Sequence, residues 1–214
     1  MHYPLYLRRI DYGSFTTEIF MPDEEEVKKI YKREKSLHPD IDFPFWTRLW
    51  PSAIALSIFL RENEEMVSGK TVLELGAGLG LPSVVAAAKA LRVTGSDYIE
   101  AALETMVKSF SHHGFRNANS VRIDVKDYPE GLYADIVLLS DVNYDPGLFP
   151  GLIKLLDRFL ENGSTIILST PQRIMASAFI ESLLTKIKSH QLFGIKENNE
   201  AVRISVFVFG TSPD

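Results

Sequence analysis

From residue 71 onward the chain repeats one pattern: a short apolar run, a break, then a stretch with helical spacing. The runs are Thr71–Leu75, Leu91–Ser96, Ser120–Asp124, Asp135–Ser140 and Thr165–Ser169, mostly β-branched or leucine-rich. Each reads as a buried strand. Apolar residues recur with helical period over roughly 81–90, 98–112, 147–161 and 173–188. Strands alternating with helices make βαβ units, whose right-handed crossovers cover both faces of a parallel sheet. Gln191–Lys196 and Val202–Phe209 depart from this pattern. They flank Glu197-Asn198-Asn199-Glu200 and predict a closing antiparallel hairpin.

The first 60 residues read as an extension packed on one α/β domain that runs from 61 to 214. Residues 3–20 alternate loosely around Asp11-Tyr12-Gly13, which predicts two short strands and a turn. Asp23 with Glu26 three residues on predicts a helix start of capping-box type, with acids at the positive end and bases at the negative end. Its charge run reads as a solvated face. Pro51 suits the first turn of a helix to about Leu60, with Ile54, Ile58 and Phe59 as core contacts.

Composition narrows the chemistry. With 23 basic and 28 acidic residues in 214, the net charge is −5. No global field draws in a phosphate backbone, so a nucleic-acid partner is not expected. The chain has no cysteine, which excludes disulfides, thiolate metal sites and cysteine nucleophiles. No basic stretch leads into an apolar one at the start, and no run approaches the length of a membrane span. The expectation is a soluble, cytoplasmic, monomeric protein with no metal and no membrane association.

The sharpest local signal is Val72-Leu73-Glu74-Leu75-Gly76-Ala77-Gly78-Leu79-Gly80-Leu81-Pro82. A buried strand runs into a glycine-rich turn, and a helix opens near Leu81. Such a turn lets a ligand approach backbone at the carboxyl edge of the sheet, where doubly wound folds bind their ligands. The spacing is G-x-G-x-G and lacks the third glycine of the dinucleotide fingerprint. The next strand ends in Asp97, 19 residues beyond Gly78, where a carboxylate can accept from both hydroxyls of a ribose. Asp124 ends the third strand, where an adenine amino group would fall. No Lys or Arg follows the loop as in a P-loop, so the implied ligand is an adenosine without a demanding phosphate. A tight turn for packing is the plainer alternative.

These residues resemble the class I S-adenosylmethionine-dependent methyltransferases, and more narrowly the seven-β-strand protein-lysine methyltransferases. Glu74–Gly80 looks like the first motif of that superfamily. Leu49-Trp50-Pro51-Ser52-Ala53 is similar to its preceding tryptophan element, and Asp141-Val142-Asn143-Tyr144 to its D-x-x-Y/F motif. The resemblance implies a Rossmann-like, doubly wound, mostly parallel sheet of seven strands in the order 3-2-1-4-5-7-6, the last strand antiparallel. It implies S-adenosylmethionine as cofactor, with Trp50, Glu74, Gly76, Ala77, Gly78, Gly80, Asp97, Tyr98, Asp124, Val125 and Ser140 around it. Asp141 and Tyr144 would face the methyl group and the incoming amine of a protein lysine. Where the family commonly has Asp-Trp after the third strand, this chain has Asp124-Val125.

Each of these residues also has an ordinary reading. Asp141 could cap the helix that follows, and Tyr144 and Trp50 could be packing. Phe43, Phe45 and Trp46 could form an aromatic substrate rim or belong to the core. Adjacent His112 and His113 point to different helix faces and read as surface residues. No serine sits in a G-x-S-x-G elbow. A small-molecule amine as acceptor, a catalytically silent adenosyl-binding module and, more remotely, a nicotinamide oxidoreductase are the alternatives.

Overall fold

The computed structural model describes residues 2–124, 126–142, 145–171, 177–197 and 200–210. In chain order the elements are β1 (Leu5–Asp11), β2 (Thr16–Pro22), α1 (Glu24–Leu37), α2 (Pro51–Glu62), β3 (Thr71–Leu75), α3 (Leu81–Ala87), β4 (Arg92–Asp97), α4 (Glu100–His112) and β5 (Ala118–Arg122). Then follow β6 (Ile136–Ser140), α5 (Phe149–Glu161), β7 (Thr165–Pro171), α6 (Ser177–Glu181), β8 (Ile187–Glu197) and β9 (Glu200–Phe209).

Seven strands form one sheet in the order β5-β4-β3-β6-β7-β9-β8. Counted from β3, this is the expected 3-2-1-4-5-7-6. β5 through β7 are parallel, and β9 runs antiparallel to both β7 and β8. Alternation along the strands splits the core in two. Val72, Ile136, Leu138 and Ile167 face a cluster with Ile54, Leu56 and Phe59 of α2, Leu81 and Val84 of α3, and Met106 of α4. Leu73, Leu75, Val137, Leu139 and Leu168 face α5 through Leu152, Leu155, Leu156 and Phe159, together with Phe179. A parallel sheet sealed on both faces is what near-continuous apolar strands require. Among the described residues no helix is long and apolar enough to cross a membrane.

β1 and β2 pair as the predicted hairpin, from Leu5↔Pro22 to Asp11↔Thr16. It docks on α4. The Phe20 N–H donates to the buried Ser109 hydroxyl at 3.0 Å. His113 Nε2 lies 2.7 Å from the Glu18 carbonyl oxygen, and His112 Nε2 lies 2.9 Å from the Glu18 carboxylate. The two histidines therefore fasten the extension to the domain. Asp23 caps α1 through the N–H groups of Glu25 and Glu26. Glu26 does not close a capping box; its carboxylate accepts from Tyr6 Oη instead. α2 starts at Pro51 as expected and packs against α3 and strands β7, β8 and β9. It thus belongs to the helical layer of the sheet.

Two expectations are corrected. The helix expected over 173–188 contracts, among the described residues, to α6 and a 3₁₀ turn at Leu184–Lys186, and β8 opens at Ile187. The third strand of the sheet is Ala118–Arg122 rather than Ser120–Asp124, and it is an edge strand, largely exposed rather than buried.

Candidate functional site

β3 delivers Glu74 and the glycine turn to the carboxyl edge of the sheet, beside the ends of β4 and β6. Gly76, Gly78 and Gly80 have φ of 63°, 54° and 69°, a region that strains any residue with a side chain. A Cβ on Gly76 would lie 3.0 Å from Val142 Cγ1, and one on Gly78 would lie 3.4 Å from the Trp46 carbonyl oxygen. A Cβ on Gly80 would fall 2.6 Å from Met106 Cγ and 2.7 Å from its Sδ. Gly80 therefore keeps space for α4 in the core, whereas Gly76 is exposed at the sheet edge. Ala77 is buried, and its N–H donates to the Ser96 carbonyl, which ties the turn to β4.

Asp97 is 5% exposed. Its Oδ2 accepts the Gly78 N–H at 2.9 Å and its Oδ1 accepts the Ile99 N–H at 3.0 Å. Burial pushes its pKa up, and these N–H donors partly offset that. Both oxygens keep a lone pair, since a carboxylate oxygen can accept more than one bond.

Glu74 is fully buried. Its Oε2 accepts the Ser83 N–H at 2.9 Å and the Ser83 hydroxyl at 2.6 Å, both from the first turn of α3. Oε1 is buried without a hydrogen-bond partner. Desolvation raises the pKa to about 8, further assisted by the negative charge of Asp97 and opposed by Ser83 and, more weakly, by the nearby Ser140 hydroxyl. At neutral pH the group is a carboxylic acid. Ser83 had no sequence signal, because nothing in a serine two residues into a helix predicts a buried acid beneath it.

Ser140 ends β6 and is half-buried. Asp141 follows with φ 56°, the one non-glycine residue at positive φ among the described residues, and its N–H donates to the Ser169 carbonyl at 2.9 Å. Asp141 is 9% exposed. Tyr144 and Val125 lie outside the described residues. Asp124 is exposed and accepts the Lys126 N–H, closing its own turn. Tyr98 is 56% exposed; partial burial raises its hydroxyl pKa first, and then the charges of Asp97, Asp42 and Asp124. Among the described residues no group of His, Asp and Glu is arranged to hold a metal ion.

The segment before α2 crosses this edge. Trp46 lays its backbone against Gly78, and its ring packs on the core and edge-on to Tyr3 at 6.0 Å. Trp50 donates from Nε1 to the Phe45 carbonyl at 3.1 Å. The Arg48 guanidinium sits 4.5 Å over the Trp50 ring while donating to Glu197 at 2.7 Å. Trp46 is thus packing, and Phe45, 52% exposed, is surface. The structure brings Glu74, the three glycines, Asp97, Ser140 and Asp141 to neighbouring strand ends.

Comparison with known proteins gives the family and the fold. A family described as lysine methyltransferase matches residues 44–188. The chain is 30% identical over 167 residues to the protein N-lysine methyltransferase METTL21A of Danio rerio, covering 71% of this chain and 73% of that one. It is 28% identical over 163 residues to the electron transfer flavoprotein beta subunit lysine methyltransferase of Mus musculus, covering 75% of this chain and 63% of the relative. In fold it is similar to the T. thermophilus 16S rRNA N2 G1207 methyltransferase (RsmC), solved with AdoMet and guanosine. The TM-score there is 0.66 at 15% identity, over 97% of this chain and 51% of that one. A second fold neighbour is the Pyrococcus abyssi tRNA (uracil-54, C5)-methyltransferase in complex with S-adenosyl-L-homocysteine. It gives a TM-score of 0.61 at 18% identity, over 94% of this chain and 44% of that one. The match over most of the domain, with the glycine turn and Asp141 inside it, makes the chain a methyltransferase that belongs to the lysine methyltransferase family.

Proposed function

We propose that the protein transfers a methyl group from S-adenosylmethionine to the side-chain amine of a lysine in a protein partner. The observation that carries the reading is the strand-end arrangement. A buried acid, Glu74, keeps an unpartnered Oε1 below the glycine turn, and a strained Asp141 stands just past the end of the neighbouring strand. A buried polar atom left without a partner is costly, of order 1–3 kcal/mol, and a left-handed non-glycine residue costs a similar amount. Both are supported at one sheet edge, the edge where folds of this class bind ligands.

The residues fit the cofactor. Asp97, its carboxylate oriented by the Gly78 and Ile99 N–H groups, would accept from the ribose hydroxyls. Gly76 and Gly78 would admit the cofactor to the turn, with Ala77 between them. Glu74 would lie toward its amino-acid end, and Ser140 and Trp50 would flank it. Tyr98, Asp124 and Val125 would border the adenosine end. Bound there, S-adenosylmethionine supplies a methyl group on a sulfonium, an electrophile that requires only in-line approach.

The chain's own task is then to receive the acceptor as the free amine, its proton left in solvent, and to align it. At pH 7 a lysine amine with an ordinary pKa near 10.4 needs about 4.6 kcal/mol to lose its proton. Desolvation against apolar walls lowers that cost, because burial disfavours the charged amine. Asp141 would hold the amine by a hydrogen bond, and Tyr144 would line its path by ring or hydroxyl contact. Alignment contributes the rest, since the reaction needs no covalent intermediate.

The test is transfer from S-adenosylmethionine labelled with tritium in the methyl group, with a fractionated cell lysate as acceptor. Label should appear in protein as methyl-lysine after hydrolysis. Asp141→Ala should lower transfer at least about a hundredfold while cofactor affinity stays within a few fold, as expected for a group that acts in the transition state. Label confined to small amines would replace the protein substrate by a small-molecule one. Undiminished turnover by Asp141→Ala would remove that residue from the catalytic assignment.

A further inference from the structure

Four aromatic rings form a string from α1 to the start of α2, the first two contacts edge to face and the third tilted. Tyr31 and Phe43 have centroids 5.1 Å apart, Phe43 and Phe45 5.4 Å, and Phe45 and Trp50 6.2 Å. Phe43, Phe45 and Trp50 belong to the segment whose Trp46 backbone touches Gly78, so this part of the string lies beside the candidate site. Its two ends already carry cations. Lys35 Nζ sits 6.0 Å over the Tyr31 ring, and the Arg48 guanidinium sits 4.5 Å over the Trp50 ring. Each of these cations is also held elsewhere, Lys35 by the Ile41 carbonyl and Arg48 by Glu197.

The middle of the string faces solvent, with Phe45 52% exposed. Next to Phe43 stands exposed Asp42, whose charge acts on the Tyr98 hydroxyl together with those of Asp97 and Asp124. Aromatic faces attract cations through the ring quadrupole, and nearby carboxylates add to the attraction.

We propose that Asp42, Phe43 and Phe45 form a docking surface for a basic segment of the methyl-accepting protein, receiving an arginine or lysine close to the acceptor lysine. The inference rests on the methyltransferase reading, and names the chemistry of the partner that reading requires. The end rings, each under the chain's own cation, show the geometry that an incoming side chain would adopt over the middle ones. The N-terminal extension then acts as a substrate-recognition element, while the domain it covers carries the chemistry.

The test is fluorescence anisotropy with the full chain at saturating S-adenosylhomocysteine, whose own binding is measured separately by calorimetry. The probes are a labelled short peptide with one lysine between arginine pairs, the same peptide with glutamate pairs, and an oligouridylate of similar length. The arginine peptide should bind at least about tenfold more tightly than the glutamate peptide, with an affinity that falls as salt rises. Phe45→Leu, which keeps an apolar side chain but loses the ring, should weaken it about threefold, and Phe45→Tyr should not. Asp42→Asn should weaken it by a similar factor and flatten the salt dependence. Equal affinity for the two peptides, tighter binding of the oligouridylate, or unchanged binding by Phe45→Leu would overturn the proposal and leave the methyltransferase reading intact. Failure to bind S-adenosylhomocysteine would remove that reading, and the docking surface with it.

Discussion

Replacing Glu74 by glutamine tests whether the acid beneath the glycine turn is neutral. In the folded protein its pKa stands at about 8 against 4.5 for the free side chain. Between these values the folded state keeps a proton that the unfolded chain has released. The contribution to stability is therefore fully present below pH 4.5 and is lost as pH rises through 8. The slope is about 1.4 kcal/mol per pH unit, which integrates to roughly 3–4 kcal/mol between pH 5 and 8. Glutamine matches the shape of the neutral acid, and its carbonyl can accept both Ser83 bonds, but it does not titrate. Urea unfolding of both proteins at half-unit steps from pH 5 to 8 isolates the group, because Asp97, raised in the same direction, stays in both. The wild type should lose its advantage over Glu74→Gln progressively as pH rises. Parallel curves, within about 0.5 kcal/mol throughout, would show that Glu74 is already ionised at pH 5 and would refute the argument from burial.

Gly80→Ala combines a left-handed backbone with a collision against Met106, a fully buried side chain that also fills the space left by Gly95. It should cost about 4 kcal/mol, against about 1 kcal/mol for Gly114→Ala, which has the same φ but open space around it. Urea unfolding compares the two, and equal losses would deny the packing role. Ser109→Ala leaves the Phe20 N–H without its acceptor and should loosen the hairpin by about 1–2 kcal/mol. Hydrogen exchange at Phe20 should then speed up by one order of magnitude or more, with the sheet amides unchanged.

Where neighbouring residues set the structure, the sequence was legible. β3, β6 and β7 are apolar on both faces because helices cover both, so their runs stand out. Edge strands are not marked in this way. β5 contains Asn119 and Ser120 and is largely exposed, so the apolar pattern points to ends two residues too late. In the region of β8, Ile180, Leu183, Leu184 and Ile187 are spaced as in a helix. β8 is also solvated at most positions, so no alternation marks where the helix stops. The site divides likewise. The glycine turn, Asp97 and Asp141 announce themselves by position after strands. The contacts that define them, Ser83 on Glu74, Met106 against Gly80 and Trp46 against Gly78, join residues 9 to 32 positions apart, and only the folded chain brings them together.

Calorimetric titration with S-adenosylmethionine, S-adenosylhomocysteine and NAD decides whether this sheet edge is the cofactor site. Both sulfur ligands should bind one-to-one, and NAD should not bind. Affinity should fall at least about tenfold in Asp97→Asn, which removes the charge that would hold the ribose. At one hundred times the dissociation constant the gain in stability is about 2.7 kcal/mol, so the melting temperature should rise by about 5–10 °C. Heat with NAD and none with either sulfur ligand, or full affinity retained in Asp97→Asn, would show that S-adenosylmethionine is not held at this edge by Asp97.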